Sequence, residues 1–136
     1  MDSCIFCSII NRQASAHVIY EDDSTLALLD IAEDVDGHTL VIPKKHFNSI
    51  LDCDADTLNA VMNTVQKVSR HFTENCHYDG VNLLNANGIA ADQSVPHFHI
   101  HIIPRKKNDG IEAWPEFEGS KEDIEDLHTL LKIEEK

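Results

Sequence analysis
Apolar residues recur along the chain with two different periods, and each period predicts a different kind of element. Between residues 54 and 75, Leu58, Val61, Met62, Val65, Val68 and Phe72 return every three or four positions. That spacing predicts an amphipathic helix, with Asp54 as its cap. Residues 17–20 and 25–30 are rich in branched and aliphatic side chains on either side of Glu21-Asp22-Asp23, the pattern of a hairpin. Residues 38–42 read as a strand that starts after Gly37 and stops at Pro43. Residues 81–86 read as another, following Gly80, and residues 97–103 as a fifth, ended by Pro104.

Weaker signals flank these. Ile5, Phe6, Ile9 and Ile10 suit a short helix over residues 4–11, and residues 87–96 read as a polar loop with Gly88 and Pro96. Residues 105–119 are irregular, with Gly110, Pro115 and Gly119. Ser120 and Asp123 then resemble a capping box, opening a last helix whose buried stripe would be Ile124, Leu127 and Leu131. Five strands and two longer helices in this order predict an α+β fold: a five-stranded antiparallel sheet, one long helix and a C-terminal helix. No repeat or linker divides the 136 residues, so 1–136 reads as one domain, with 105–136 a variable acidic C-terminal segment.

Charge narrows the partners. Lys and Arg number 11 against 24 Asp and Glu, a formal net charge of -13, which argues against nucleic acid or an anionic membrane as partner. No apolar run approaches the roughly 20 residues of a membrane span. The start, Met1-Asp2-Ser3-Cys4, is acidic and lacks the basic region of a signal peptide, so the expected location is cytoplasmic. Cys4-x-x-Cys7 in that setting suggests metal or redox chemistry before a structural disulfide.

The segment His97-Phe98-His99-Ile100-His101-Ile102-Ile103 alternates strictly. In a strand, Phe98, Ile100 and Ile102 share one face and the three histidines the other. Two chemistries fit such a face. The imidazoles could converge on one metal, or a central ring could act as a nucleophile with its neighbours orienting it and holding anionic oxygens. Clustered imidazoles lower one another's pKa, which helps keep a central ring neutral near pH 7.

Gln93-Ser94-Val95-Pro96 followed by His97–Ile103 resembles the signature of the histidine triad (HIT) family, His-φ-His-φ-His-φ-φ with φ apolar. The resemblance extends over roughly residues 4–106 through Ile5-Phe6, Leu28-Leu29-Asp30-Ile31, the block from His38 through Pro43-Lys44-Lys45 to His46, and Asn85. It is greatest to the small bacterial members near the nucleotide-binding branch. It implies a homodimer whose two sheets join into one, and a nucleotide-binding hydrolase or transferase. Such an enzyme cleaves a nucleoside 5′-phosphate of AMP or GMP type from an amine or related leaving group, through a nucleotidyl-histidine. By position His99 is the nucleophile, His97 and His101 flank it, and Ser94 serves the leaving group. His38 and Asn85 lie beside the phosphate, Gln93 is a further nucleotide-binding residue, and Asp30 takes the ribose hydroxyls. Phe6, Ile9, Leu28 and Ile31 line a pocket for a purine. The resemblance also suggests a structural zinc held by Cys4, Cys7, His46 and His97. One position departs from the family pattern: Asp92 stands where glycine usually precedes the Gln-Ser-Val element. Two alternatives stay open, a dinucleoside polyphosphate hydrolase and a purine nucleotide-binding module with little turnover.

Overall fold
A computed structural model describes residues 4–32 and 34–134. Met1–Ser3, Glu33, Glu135 and Lys136 lie outside the described residues, and with them the acidic start of the chain and the end of its acidic tail. The elements run α1 (Ile5–Ile10), β1 (Val18–Glu21), β2 (Thr25–Leu29), β3 (Thr39–Pro43), α2 (Ala55–Asn75), β4 (Gly80–Leu84), β5 (Ile100–Arg105) and α3 (Ile124–Leu131). The five strands form one antiparallel sheet in the order β1-β2-β3-β5-β4. The predicted α+β class and strand count hold.

The period-two pattern sorts side chains onto two faces. Ala27, Val41, Phe98, Ile100 and Ile102 pack against Val61, Val65, Val68 and Phe72 of α2. Leu26, Leu28, Leu40 and Ile42 point the other way and bury Phe6 of α1. The helix follows the predicted stripe, except that Met62 is exposed. Asp54 caps it by accepting the Thr57 backbone N–H at 2.8 Å, and a Thr25–Thr64 hydroxyl pair at 2.6 Å ties it to β2. Asp22 builds the hairpin turn by accepting the backbone N–H groups of Ser24 and Thr25.

Most boundaries shift by a residue, and four differences have a visible cause. The last strand begins at Ile100, not His97, because the Phe98 N–H donates to the Phe47 carbonyl at 2.7 Å, outside the sheet ladder. It also runs through Pro104 to Arg105. There β5 has passed the end of its β3 partner, whose pairing stops at Thr39↔Ile102, so one side needs no ladder donor. The strand expected over 81–86 is β4, Gly80–Leu84, because Asn85 turns its side chain to the His99 carbonyl. At the last helix, Asp123 is the cap itself, accepting from Glu125 and Asp126 N–H, and is not the third residue of a box opened by Ser120. The predicted stripe is not buried: Ile124 and Leu131 are exposed and Leu127 half-buried, since among the described residues no other element packs extensively against α3.

Candidate active site and metal centre
The histidines sit on the α1 face of the sheet, opposite α2, where β5 places His101 beside Leu40 of β3. His99 is buried at 5% exposure, and its Nδ1–H donates to the His97 carbonyl at 2.7 Å. A carbonyl can only accept, so the proton sits on Nδ1 and the lone pair is on Nε2. Burial pushes this imidazole below its usual range, against the opposing pull of that hydrogen bond and of the Asp30 charge. The site therefore holds a neutral ring with its lone pair on Nε2. Phe6 packs edge-on against the rings of both His97 and His99.

His97 turns its ring away from His99, toward the N-terminal cysteines. Its Nε2–H donates to the Pro43 carbonyl at 2.9 Å, which leaves the Nδ1 lone pair toward Cys4 Sγ at 3.4 Å and Cys7 Sγ at 3.6 Å. Burial drives its pKa down to about 4. His46 presents Nδ1 to Cys7 Sγ at 3.2 Å, while its Nε2 meets Asn48 Oδ1 at 3.2 Å. The donor atoms of Cys4, Cys7, His46 and His97 all lie within 4.8 Å of one another. Two soft sulfurs and two imidazole nitrogens, each ring oriented by an oxygen acceptor on its far side, match the chemistry a structural zinc requires.

His38 and His101 form a second imidazole pair. His38 Nε2 and His101 Nδ1 are 2.8 Å apart, and the His101 ring lies 4.9 Å from that of His99. His101 is pushed down to about 4, mainly by burial and then by the charges of its histidine neighbours. On its far side His38 Nδ1 meets Asp34 Oδ1 at 2.8 Å, and its Nε2 is 3.6 Å from Asp30 Oδ2. Asp30 caps the next turn by accepting the Ala32 N–H, and its own N–H donates to the His38 carbonyl. Gly37 closes this loop with φ +79°, where a Cβ would come within 2.9 Å of Pro104.

A cleft of about 480 Å³ opens beside this loop, lined by His17, Leu29, Asp30, Ile31, Val35, Asp36, Gly37 and His38. Of the residues expected at a base pocket, Ile31 stands exposed at its wall. Phe6 and Leu28 are buried in the adjoining core, with Ile9 packed against them. Asn85 and Gln93 serve the scaffold. Asn85 Nδ2 donates to the His99 carbonyl at 2.8 Å and its Oδ1 accepts from Asn87. Gln93 Oε1 accepts the Gly88 N–H at 2.8 Å, and Gln93 Nε2 donates to the Asn48 and Val95 carbonyls. Asn87, which in turn accepts the Ile50 N–H at 2.8 Å, had no motif to announce it. Ser94 is exposed in the same loop. Asp92 is exposed too, with φ 65°, a left-handed conformation that glycine adopts freely and aspartate tolerates. Its carboxylate is therefore solvated.

The comparisons with known proteins agree with this fold. The HIT domain matches residues 11–108. An uncharacterized HIT-like protein of Borreliella burgdorferi is 45% identical over 112 residues, 81% of either chain. The adenylylsulfatase HINT3 of Arabidopsis thaliana is 38% identical over 79% of this chain, which spans 55% of that longer protein. A Zn-bound histidine triad family protein from Mycobacterium smegmatis superposes with a TM-score of 0.78 at 39% identity, covering 82% of this chain and 81% of that one. The chain belongs to the HIT family, whose fold and triad class are those of nucleotide-binding hydrolases and transferases. No helix among the described residues is long and apolar enough to cross a membrane.

Proposed function
We propose that the protein transfers a nucleoside 5′-phosphate of AMP or GMP type from an amine or related leaving group to water, by way of His99. The observation that carries this reading is the state of His99: buried, neutral, its Nδ1–H held by the His97 carbonyl and its Nε2 lone pair available. In the first step Nε2 attacks the α-phosphorus. An N–P bond forms as the bond to the leaving group breaks, and the amine departs with a proton supplied from the side of Ser94. In the second step water attacks the nucleotidyl-histidine, the N–P bond breaks, and the nucleoside monophosphate leaves. His101 and His38 flank the phosphate oxygens. Asn85 and Gln93 act from behind, by holding the His99 backbone and the 88–95 loop.

In this reading the Asp30 carboxylate accepts from the ribose hydroxyls at the cleft, and Ile31, with the apolar layer of Phe6, Ile9 and Leu28 behind it, favours a purine over a more polar base. Zinc, held by Cys4, Cys7, His46 and His97, would supply structural rigidity and take no part in bond making. A zinc-bound relative supports it. The functional unit is a homodimer. His99→Ala should lower the hydrolysis of adenosine 5′-phosphoramidate by several orders of magnitude while AMP still binds, because the loss falls on the transition state. Quenched wild-type protein should carry the nucleotidyl group on His99. A variant that turns over at the wild-type rate overturns the reading.

A further inference from the structure
We propose that Asp34 is a positioning residue that, through His38, lets His101 take up a proton and donate it as a hydrogen bond to a substrate phosphate. The inference rests on the proposed nucleotidyl chemistry for its substrate and on side-chain geometry for its mechanism. Asp34, His38 and His101 form a continuous line, with Asp34 Oδ1 to His38 Nδ1 and His38 Nε2 to His101 Nδ1 both at 2.8 Å. An ionised carboxylate can only accept, so Asp34 assigns a proton to His38 Nδ1. In the neutral pair, His38 Nε2 must then accept the proton of His101 Nδ1. That leaves His101 Nε2 with a lone pair, which would repel a phosphate oxygen.

Adding one proton from solvent reverses this. It bonds to His101 Nε2, the His101 Nδ1–H bond breaks, and a His38 Nε2–H bond forms across the gap. His101 is again neutral but now presents an N–H donor. The positive charge rests on His38, between Asp34 at 2.8 Å and Asp30 at 3.6 Å. Burial disfavours charge on His101 itself, which is why the charge belongs one ring further back, beside the carboxylates. The hydrogen bond from His38 holds the Asp34 carboxyl below the usual carboxylate range, so Asp34 stays an acceptor at neutral pH.

Other ionisable groups among the described residues surround the line. His99 faces His101, while His17 and Asp36 share the cleft with His38 and Asp30. Asp36, Lys106, Asp109 and Tyr78 share the neighbouring cavity with Asp34. Asp30 is the nearest carboxylate besides Asp34, but it sits 3.6 Å from the same Nε2 that faces His101 and so cannot fix the Nδ1 proton. That task falls to Asp34 alone among the described residues.

The test compares wild type, Asp34→Ala and Asp34→Glu as full-length chains. Asp34 lies in a loop with 54% of its side chain exposed, so the substitutions leave the core untouched. Imidazole ¹⁵N spectra of the ligand-free proteins should show His38 protonated at Nδ1 in wild type and Asp34→Glu, and a mixture of tautomers in Asp34→Ala. Titration with AMP in two buffers of different ionisation enthalpy should show proton uptake in wild type, cut to less than about half in Asp34→Ala and restored in Asp34→Glu. With adenosine 5′-phosphoramidate, kcat/KM should fall about tenfold or more in Asp34→Ala and recover in Asp34→Glu. An Asp34→Ala protein that keeps the His38 Nδ1 proton and the wild-type proton uptake overturns the proposal. If wild type neither binds AMP nor cleaves the phosphoramidate, the nucleotidyl reading fails by itself, and the ligand-free spectra still decide the role of Asp34.

Discussion
Mild acid should destabilise this protein through its buried imidazoles well before its carboxylates are protonated. His97 and His101 are held at about 4 in the folded chain, against 6.5 for a free imidazole. Above pH 6.5 both states are neutral and the full stability is present. As the pH falls below 6.5 the unfolded chain takes up protons that the folded chain refuses, so stability is lost, and the loss is complete once the pH reaches about 4. At about 1.4 kcal/mol per pH unit, each ring costs about 2 kcal/mol by about pH 5. Partial solvent screening of His101 and coupling among the rings bring the pair to about 3 kcal/mol, a large share of a typical net stability of about 5–15 kcal/mol. His99 is shifted in the same direction and adds to the loss.

The carboxylates act in a different window. Asp22, Asp34, Asp52, Asp54 and Asp109 are all lowered from 3.8, so their stabilisation persists until the pH drops below that value. Urea unfolding followed by circular dichroism, in chelator and at intervals from about pH 7.5 to 4.5, should show the midpoint falling steadily at constant slope. His101→Gln should have a shallower dependence. A midpoint that stays flat down to about pH 5, or an unaltered dependence in His101→Gln, refutes the assignment of buried neutral rings.

Metal analysis of the purified protein should give about one zinc per chain, lost in Cys4→Ser, with the metal-free protein melting at a lower temperature; full loading of the double Cys4→Ser/Cys7→Ser variant would place the ligands elsewhere. Phe98 is fully buried between the sheet and α2, so Phe98→Ala should cost about 3–5 kcal/mol in denaturant unfolding. A loss under about 1 kcal/mol would mean that the alternation does not hold the triad in place through this side chain.

The long helix, the hairpin and the alternation around the histidines were legible because burial imposes a period, and a period survives in one dimension. Phe98, Ile100 and Ile102 had to share a face if residues 97–103 were extended, and the face they share is the one under α2. Strand edges were less legible because they depend on partners distant in sequence. The Phe47 carbonyl takes the Phe98 N–H and so delays β5 to Ile100, and nothing near residue 98 announces residue 47. The stripe of α3 looked like a core stripe because amphipathicity records that a helix has an apolar side, not what covers it. Asn85 and Gln93 matched family positions, but their amides are engaged by backbone groups at His99, Asn48 and Gly88, contacts that spacing does not encode. Asp34 lies four residues before His38 in an irregular loop, where no periodicity marks it, and only the turn closed by Gly37 brings the two together.

His97 is where the candidate metal cluster and the proposed nucleophile meet, and it engages both through three separate groups. Its Nδ1 faces the two cysteine sulfurs, its Nε2–H is held by Pro43 at the end of β3, and its carbonyl accepts the Nδ1–H of His99. The ring is thus pinned from both sides, and its main chain is pinned with it. The residue whose main chain sets the tautomer of His99 is anchored to α1 and β3 by its own side chain. The neighbouring N–H belongs to Phe98, which is bonded to Phe47 just beyond His46, the other imidazole of the candidate metal cluster. A carbonyl that shifted by even a fraction of an ångström would weaken the 2.7 Å bond and let the His99 ring rotate or change tautomer. In this arrangement the Cys-x-x-Cys segment need not touch substrate to matter for catalysis. It clamps the short irregular stretch that precedes β5, where the sheet ladder has not yet begun and could not hold the proposed nucleophile, His99, by itself.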